Sequence, residues 1–430
     1  MSKTKTNVFV IEVDLKEKDK PTRSAEARLQ EAVSLTSAID LFVVGQQIVA
    51  LKQIRPASYI GSGKVEELRD VLAQAKADLV LMDCALSPIQ QRNLEKEWKL
   101  KVIDRTALIL EIFGERAHTK EGVLQVELAH LTYQRSRLVR SWTHLERQRG
   151  GAGFLGGPGE TQIEMDRRIL DDKIVQIKKD LEKVKKTRSL QRESRQKVPF
   201  PVVSLVGYTN AGKSTLFNYL TKADVFAKDL LFATLDPTMR QLELPSGKKI
   251  ILSDTVGFIS ELPTELVAAF RATLEEVLSA DLILHVRDCS HPDTQAQKQD
   301  VEAVLKDLGL QDQVATGLPE VMNKIDLLPE TERQALLSRT AYRAHIFPIC
   351  AKTGQGIDKL LHFIDQELAR KATSYLLRLP FDDGKMLGWL YEKGAIVSSK
   401  QTDDCLELIV NLSKKDCALV GEKYALYKRS

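Results

Sequence analysis

VVSLVGYTNAGKSTLFNYL, Val202 to Leu220, runs from an apolar, β-branched stretch through a glycine-bounded turn into a segment with helical apolar spacing. The turn reads Gly207, Tyr208, Thr209, Asn210, Ala211, Gly212, Lys213, Ser214, with Thr215 behind it, which is the spacing G-x-x-x-x-G-K-S. Between a strand and a helix that spacing makes a phosphate loop. Main-chain N–H groups and the positive end of the helix surround an anion, and glycine lets the backbone come close. Lys213 is expected on the β- and γ-phosphates and the Ser214 hydroxyl on Mg²⁺.

Three further pieces follow in order. ILSDTVG ends a strand-like run on Asp254, Thr255, Val256 and Gly257. An acid there reaches Mg²⁺ through water, and the glycine N–H meets the γ-phosphate. EVMNKID ends the next apolar run on Asn323, Lys324, Ile325 and Asp326. The Asp326 carboxylate can accept from guanine N1–H and N2–H₂, a donor pair that adenine lacks, so a site built around it selects guanine. ICAKTG then supplies Cys350, Ala351 and Lys352 on the base side. Four such pieces in this order imply a guanine-nucleotide site with Lys213 and Gly257 in the reacting region.

FATLDPTMR, carrying Phe232, Ala233, Thr234, Leu235 and Asp236, offers Thr234 or Thr238 as a second Mg²⁺ ligand, and the residues alone leave that choice open. Phe258 follows Gly257, where many GTPases have a glutamine that orients the attacking water. A phenyl ring makes no such hydrogen bond, so slow intrinsic hydrolysis awaiting an activator is expected, whether or not the ring also packs the loop. Asn210 is read as a turn-stabilising residue, with a K⁺-holding role as the lesser expectation.

Outward from this domain the chain has 430 residues, 43% hydrophobic and 28% charged, so several soluble domains are expected. No apolar run approaches the ~18 residues of a membrane span. Five scattered cysteines without a C-x-x-C and a start without a signal peptide point to a cytoplasmic protein, with neither a disulfide framework nor a zinc site. Residues 1–115 alternate strand and helix patterns (NVFVIEVDL, SAEARLQEAVSLTSAI, LFVVGQQIVAL, DLVLMD), as an α/β domain with a mostly parallel sheet does. Ser87, Pro88 and Gln90 form a helix-start signature.

Residues 116–198 carry two helical patterns, the second with a stripe of Ile163, Ile169, Leu170, Ile174, Ile177, Leu181 and Val184. An antiparallel helical hairpin is expected, ended by VPFP. Between the helices, GGAGFLGGPG places six glycines in residues 150–159. It lacks G-K-[ST] and a preceding strand, so it is no phosphate loop. From Glu127 to Lys197 the net charge is +7 on a chain of +4 overall, which suggests a polyanion-facing segment. Residues 199–370 return to strand–helix alternation, and 371–430 read as a small C-terminal α/β unit.

GGAGFLGGPGETQIE ahead of a long basic helix, with GYTNAGKST, FATLDPT, DTVGF and NKID downstream and YIGSGKVEEL in the first domain, resembles the HflX family of GTPases over essentially the whole chain. CAK stands where SAK is usual. The resemblance implies an N-terminal α/β domain, a helical hairpin and a Ras-like GTP domain. It favours Thr234 as the Mg²⁺ ligand and implies binding to the large ribosomal subunit, with splitting or rescue of stalled or idle ribosomes, notably under heat stress. On that reading Arg135, Arg137, Arg140, Arg147 and Arg149 pair with RNA phosphates. Gly151, Gly153, Gly156, Gly157 and Gly159 let the tip enter an RNA cleft, where Phe154 stacks on a base. The alternative is a GTP-gated RNA-binding or assembly factor that splits nothing. An ATP-dependent activity of the first domain ranks last, since no second phosphate loop is present.

Overall fold

Strand β1 (Thr6–Leu15) buries six consecutive residues, Val8 to Val13, as a strand covered on both faces must. The computed structural model describes residues 6–15, 23–39, 41–148, 158–195, 200–222, 238–260, 277–370, 373–392, 395–402, 405–412, 414–421 and 423–428. After β1 come α1 (Ala25–Ser37), β2 (Leu41–Leu51), α2 (Ser62–Gln74), β3 (Leu79–Asp83), α3 (Pro88–Trp98), β4 (Lys101–Asp104) and α4 (Arg105–Arg116). The strands form a parallel sheet in the order β2-β1-β3-β4. Helix α3 opens with the expected capping box, Ser87 and Gln90 exchanging side-chain and backbone hydrogen bonds with Pro88 in the first turn. Gly61 of the IGSGK stretch is the N-cap of α2.

Glu12 lies within the buried run of β1, opposite Asp83 of β3 and 2.6 Å from Arg28. Burial, reinforced by the Asp83 carboxyl, pushes Glu12 from 4.5 up to about 8 against the pull of Arg28. Between those pH values the unfolded chain gives up a proton that the folded chain keeps, so this residue makes stability fall as pH rises through that window and level off above it. In Glu12→Gln the fall should disappear. Denaturation midpoints at pH 5, 6.5 and 8 should show wild type losing ground to the variant as pH rises, and a constant difference would rule the effect out.

Two long helices follow, α5 (Lys120–Gln148) and α6 (Pro158–Arg195). They pack through Leu131, Ile174, Ile177 and Leu181, flanked by Leu124, Leu128 and Leu170. The expected stripe therefore runs true in its middle, but Ile169 is 47% exposed and faces away from the seam. Midway along, α5 is joined to the first domain, where the Tyr133 hydroxyl donates to Asp104 at 2.7 Å.

The third unit holds β5 (Val202–Gly207), α7 (Lys213–Thr221), β6 (Thr238–Glu243), β7 (Lys249–Asp254), β8 (Leu282–Asp288), α8 (Thr294–Asp307), α9 (Gln311–Thr316), β9 (Glu320–Asn323), α10 (Glu330–Thr340), β10 (Ile346–Pro348) and α11 (Ile357–Arg370). Its sheet runs β10-β9-β8-β5-β7-β6, parallel except for β6 against β7. One hydrophobic core passes from the first domain (Val8, Leu35, Leu108, Phe113) into the third (Val206, Val256, Phe258, Ile283, Val301), so the two are packed together. The last unit, β11 (Thr373–Leu379), α12 (Gly384–Glu392), β12 (Ile396–Gln401), β13 (Leu406–Leu412), α13 (Lys414–Gly421) and β14 (Leu426–Lys428), is an antiparallel sheet in the order β12-β13-β11-β14 with its own core.

Candidate functional site

The apolar residues of β5 carry the chain to the carboxyl edge of the sheet, where the loop Tyr208 to Gly212 turns it into α7. The turn depends on Gly212, whose φ of +90° is left-handed and whose Cβ, if present, would lie 2.1 Å from Asn323 Nδ2. Lys213 opens the helix. It is buried, and its Nζ donates to the carbonyls of Gly207 (3.1 Å) and Tyr208 (2.9 Å). Burial lowers its ammonium to about 8, with Asp254 pulling the other way. A buried cation resting on neutral carbonyls is well placed to receive an anion.

Asp254, at the end of β7, is buried and accepts from the Ser214 hydroxyl at 2.7 Å. The Thr255 hydroxyl donates to the Leu205 carbonyl at 2.6 Å, tying this strand end to β5. The chain then lies along the phosphate loop, Thr209 N–H donating to the Phe258 carbonyl (2.7 Å) and Phe258 N–H to the Gly207 carbonyl (3.1 Å). Gly257 is required there, since a Cβ would stand 2.8 Å from Thr209 Cα and 3.1 Å from Lys213 Nζ. Phe258 is 4% exposed and packs in the shared core with Tyr208 and Val256.

On the base side, Asn323 joins two loops. Its Nδ2 donates to the Ala211 carbonyl (2.9 Å), and its Oδ1 accepts from Ala351 N–H (3.0 Å). Lys324 takes a left-handed φ of +67° and pairs with Asp288 at 2.7 Å. Asp326 is exposed on the short turn Ile325–Leu327, Lys352 is exposed and Cys350 is buried. Asn210 is exposed with φ +58°. The structure thus brings together Gly207 to Thr215, Asp254 to Gly257, Asn323 to Asp326 and Cys350 to Lys352 around one sheet edge. Phe232, Ala233, Thr234, Leu235 and Asp236 lie outside the described residues.

Sequence reasoning missed the cluster behind the phosphate loop. The Tyr208 hydroxyl donates to Glu31 of α1 (2.7 Å) and accepts from Arg23 (2.9 Å) and from Ser260 N–H (2.8 Å). Arg105 donates to Glu31 (2.5 Å), to Asp83 (2.8 Å) and to the Ser260 carbonyl (3.1 Å). Burial alone would raise Glu31, but Arg105 and then Arg23 hold its carboxyl below the ordinary range. Charged groups of the first domain are therefore bonded to both the phosphate loop and the segment after Gly257. Glu31 and Tyr208 are 177 positions apart, beyond the reach of any local pattern.

Along the helical pair the arginines divide. Arg135 is half-exposed and pairs with Asp171 at 3.0 Å. Arg137 turns inward to Asp104 and Gln91, its guanidinium 4.4 Å from the Tyr133 ring centre. That placement differs from the outward, phosphate-facing role expected of it, because a buried Asp104 competes for the cation. Arg140 and Arg147 fall on α5 and Gly159 on α6. Arg149, Gly151, Gly153, Phe154, Gly156 and Gly157 lie outside the described residues.

A phosphate loop leaving the central strand of a sheet with one antiparallel edge is the architecture of a P-loop GTPase domain. Four family models match in succession: GTP-binding GTPase N-terminal over residues 26–114, GTP-binding GTPase middle region over 116–195, 50S ribosome-binding GTPase over 202–321 and HflX C-terminal domain over 335–428. The chain belongs to the HflX family of GTPases. It is 51% identical to GTPase HflX of Magnetococcus marinus over 395 residues (92% of this chain, 90% of the relative). It is 46% identical to GTPase HflX of Escherichia coli K12 over 376 residues (87% of each). Among the described residues no helix is long and apolar enough to cross a membrane.

Proposed function

We propose that the protein binds the large ribosomal subunit and uses GTP to split or rescue stalled or idle ribosomes, the ribosome stimulating an intrinsically slow hydrolysis. The observation that carries this reading is the pairing, in one chain, of a domain matching the 50S ribosome-binding GTPase model with a basic helical pair whose connection is rich in glycine. In the site, Lys213 neutralises the β- and γ-phosphates, Gly257 N–H meets the γ-phosphate, and Asp326 accepts from the guanine edge. The residues present fit Mg²⁺, since a hydroxyl and a carboxylate oxygen lie 2.7 Å apart beside the buried ammonium. Ser214 and Thr234 would hold it directly and Asp254 through water, and the ion would neutralise charge developing on the phosphates. Phe258, buried in apolar surroundings, leaves the orientation of water to other groups, which favours an external activator.

GTP turnover with and without large subunits tests the coupling. Stimulation of at least tenfold is expected, and equal rates would end the proposal. Incubation with 70S particles and GTP, followed by sedimentation, should show free subunits. Shortening the tip at residues 150–159 should abolish subunit release while leaving GTP affinity unchanged. Persistent release by that variant removes the loop from the mechanism, and binding without release favours the RNA-binding alternative. A K⁺-holding role for Asn210 predicts faster turnover in KCl than in NaCl, and equal rates dismiss it.

A further inference from the structure

Helix α11 packs on the sheet through Ile357, Leu360, Ile364 and Leu368, and Phe363 lies half-buried at the margin of that core. Its remaining surface, with that of Phe347, lines a groove of about 510 Å³ between α11 and the edge strand β10. The Phe347 ring lies 4.6 Å from that of Phe363 at 41°, and His345 stands edge-on to Phe363 at 5.5 Å and 84°. Lys359, His362 and Arg370 line the groove along α11. The loop leading into β10 carries Tyr342, 96% exposed, and the exposed Arg343. The acids nearby include Asp358, in the lining, and the partly buried Glu367, which pairs with the exposed Arg370 at a long 3.8 Å.

We propose that this groove binds an unpaired nucleotide of single-stranded RNA, its base on the Phe347–Phe363 floor and its phosphates on Arg343, Lys359 and Arg370. An aromatic floor inside a cationic rim is what base stacking and backbone neutralisation together require. The volume falls within the range of small-ligand pockets. The groove is distinct from the candidate GTP site, because its lining shares no residue with Gly207 to Thr215, Asp254 to Gly257, Asn323 to Asp326 or Cys350 to Lys352. It also lies on a different unit from the helical pair, so the inference stands apart from the reading of the glycine-rich tip.

The test uses the full chain bound to GDP and a short single-stranded RNA carrying 5-iodouridine, with cross-links mapped by mass spectrometry. Cross-links are expected on peptides containing Tyr342, His345, Phe347 or Phe363. Their yield at limiting protein should drop roughly 5- to 100-fold in Phe363→Leu, which keeps an apolar floor but removes the stack. Tyr342→Ser, at a site too exposed to affect folding, should weaken them in the same direction. For the groove-specific cross-links, Arg370→Gln should lower the salt dependence by about 0.7 in log–log slope. Unchanged GDP affinity shows that each variant is folded. Cross-links confined to other segments, or unaltered by all three substitutions, would overturn the proposal. Displacement by equimolar uridine monophosphate would also overturn it, in favour of a free-nucleotide site.

Discussion

Asp326→Asn should reverse the base preference of the site, lowering guanosine-nucleotide affinity by roughly 10³- to 10⁵-fold and raising that for xanthosine nucleotides. Asp326 is exposed at the sheet edge, three residues beyond Asn323, which bridges the Ala211 carbonyl and Ala351 N–H. On the proposed reading Asp326 accepts two hydrogen bonds from guanine N1–H and N2–H₂. An amide offers one acceptor and adds a donor that faces the guanine donors. A site built to receive a specific pair of hydrogen bonds rejects the mismatched partner by large factors, because polar groups covered by the bound base would be left unmatched. Xanthine presents a carbonyl where guanine has its amino group and so suits the amide. Competition between the two diphosphates on wild type and variant measures the change. An unchanged preference would mean that the base is read elsewhere.

The second large effect concerns the cluster between the first domain and the phosphate loop. Arg105→Ala would leave Glu31 and Asp83 without their shared cation at sites where these acids are 11% and 4% exposed. Removing one partner of a buried ion pair costs about 3–5 kcal/mol, since the remaining charge is stranded. That is a large part of the stability of a typical domain, so the denaturation midpoint of the first domain should fall sharply. Hydrogen exchange in β1 and β3 should accelerate, and the segment around Ser260 should lose protection with it. Tyr208→Phe is the milder companion. It removes a hydroxyl that serves Glu31, Arg23 and Ser260, with an expected cost of about 1–3 kcal/mol. A loss under 1 kcal/mol in Arg105→Ala would show the cluster to be solvated in solution.

What could be read from the chain in advance follows the range of the forces involved. Strand β1, the capping box at Ser87 and the turn at Gly207 are local, because each is specified within a dozen residues by periodicity, a cap or a glycine. The motifs around the nucleotide site share that property, which is why Gly212, Lys213, Asp254 and Asn323 could be picked out singly and are found together. Sheet order is not local. Nothing in DLVLMD says that it pairs with β1 and β4. In the last unit β12 and β13 follow one another without a helix and pair antiparallel, but the placing of β11 between β13 and β14 joins strands far apart in the chain and was likewise hidden. Arg137 was misjudged because a charge-rich helix looks solvated until the buried Asp104 of another unit is seen beside it. Ile169 was counted with the helical stripe, yet its neighbour Leu170 takes the place in the seam and Ile169 turns outward.

The tight fit of Gly257 against Thr209 and Lys213 has a mechanical consequence. On the proposed reading a third phosphate would bond the Gly257 N–H and shift a segment that is fastened three residues later, at Ser260, to Glu31 and Arg105. Any such shift would strain or release the grip on α1. Thermodynamic reciprocity then runs the lever backwards: whatever grasps the first domain and loosens that grip must tighten the hold on the triphosphate by the same factor.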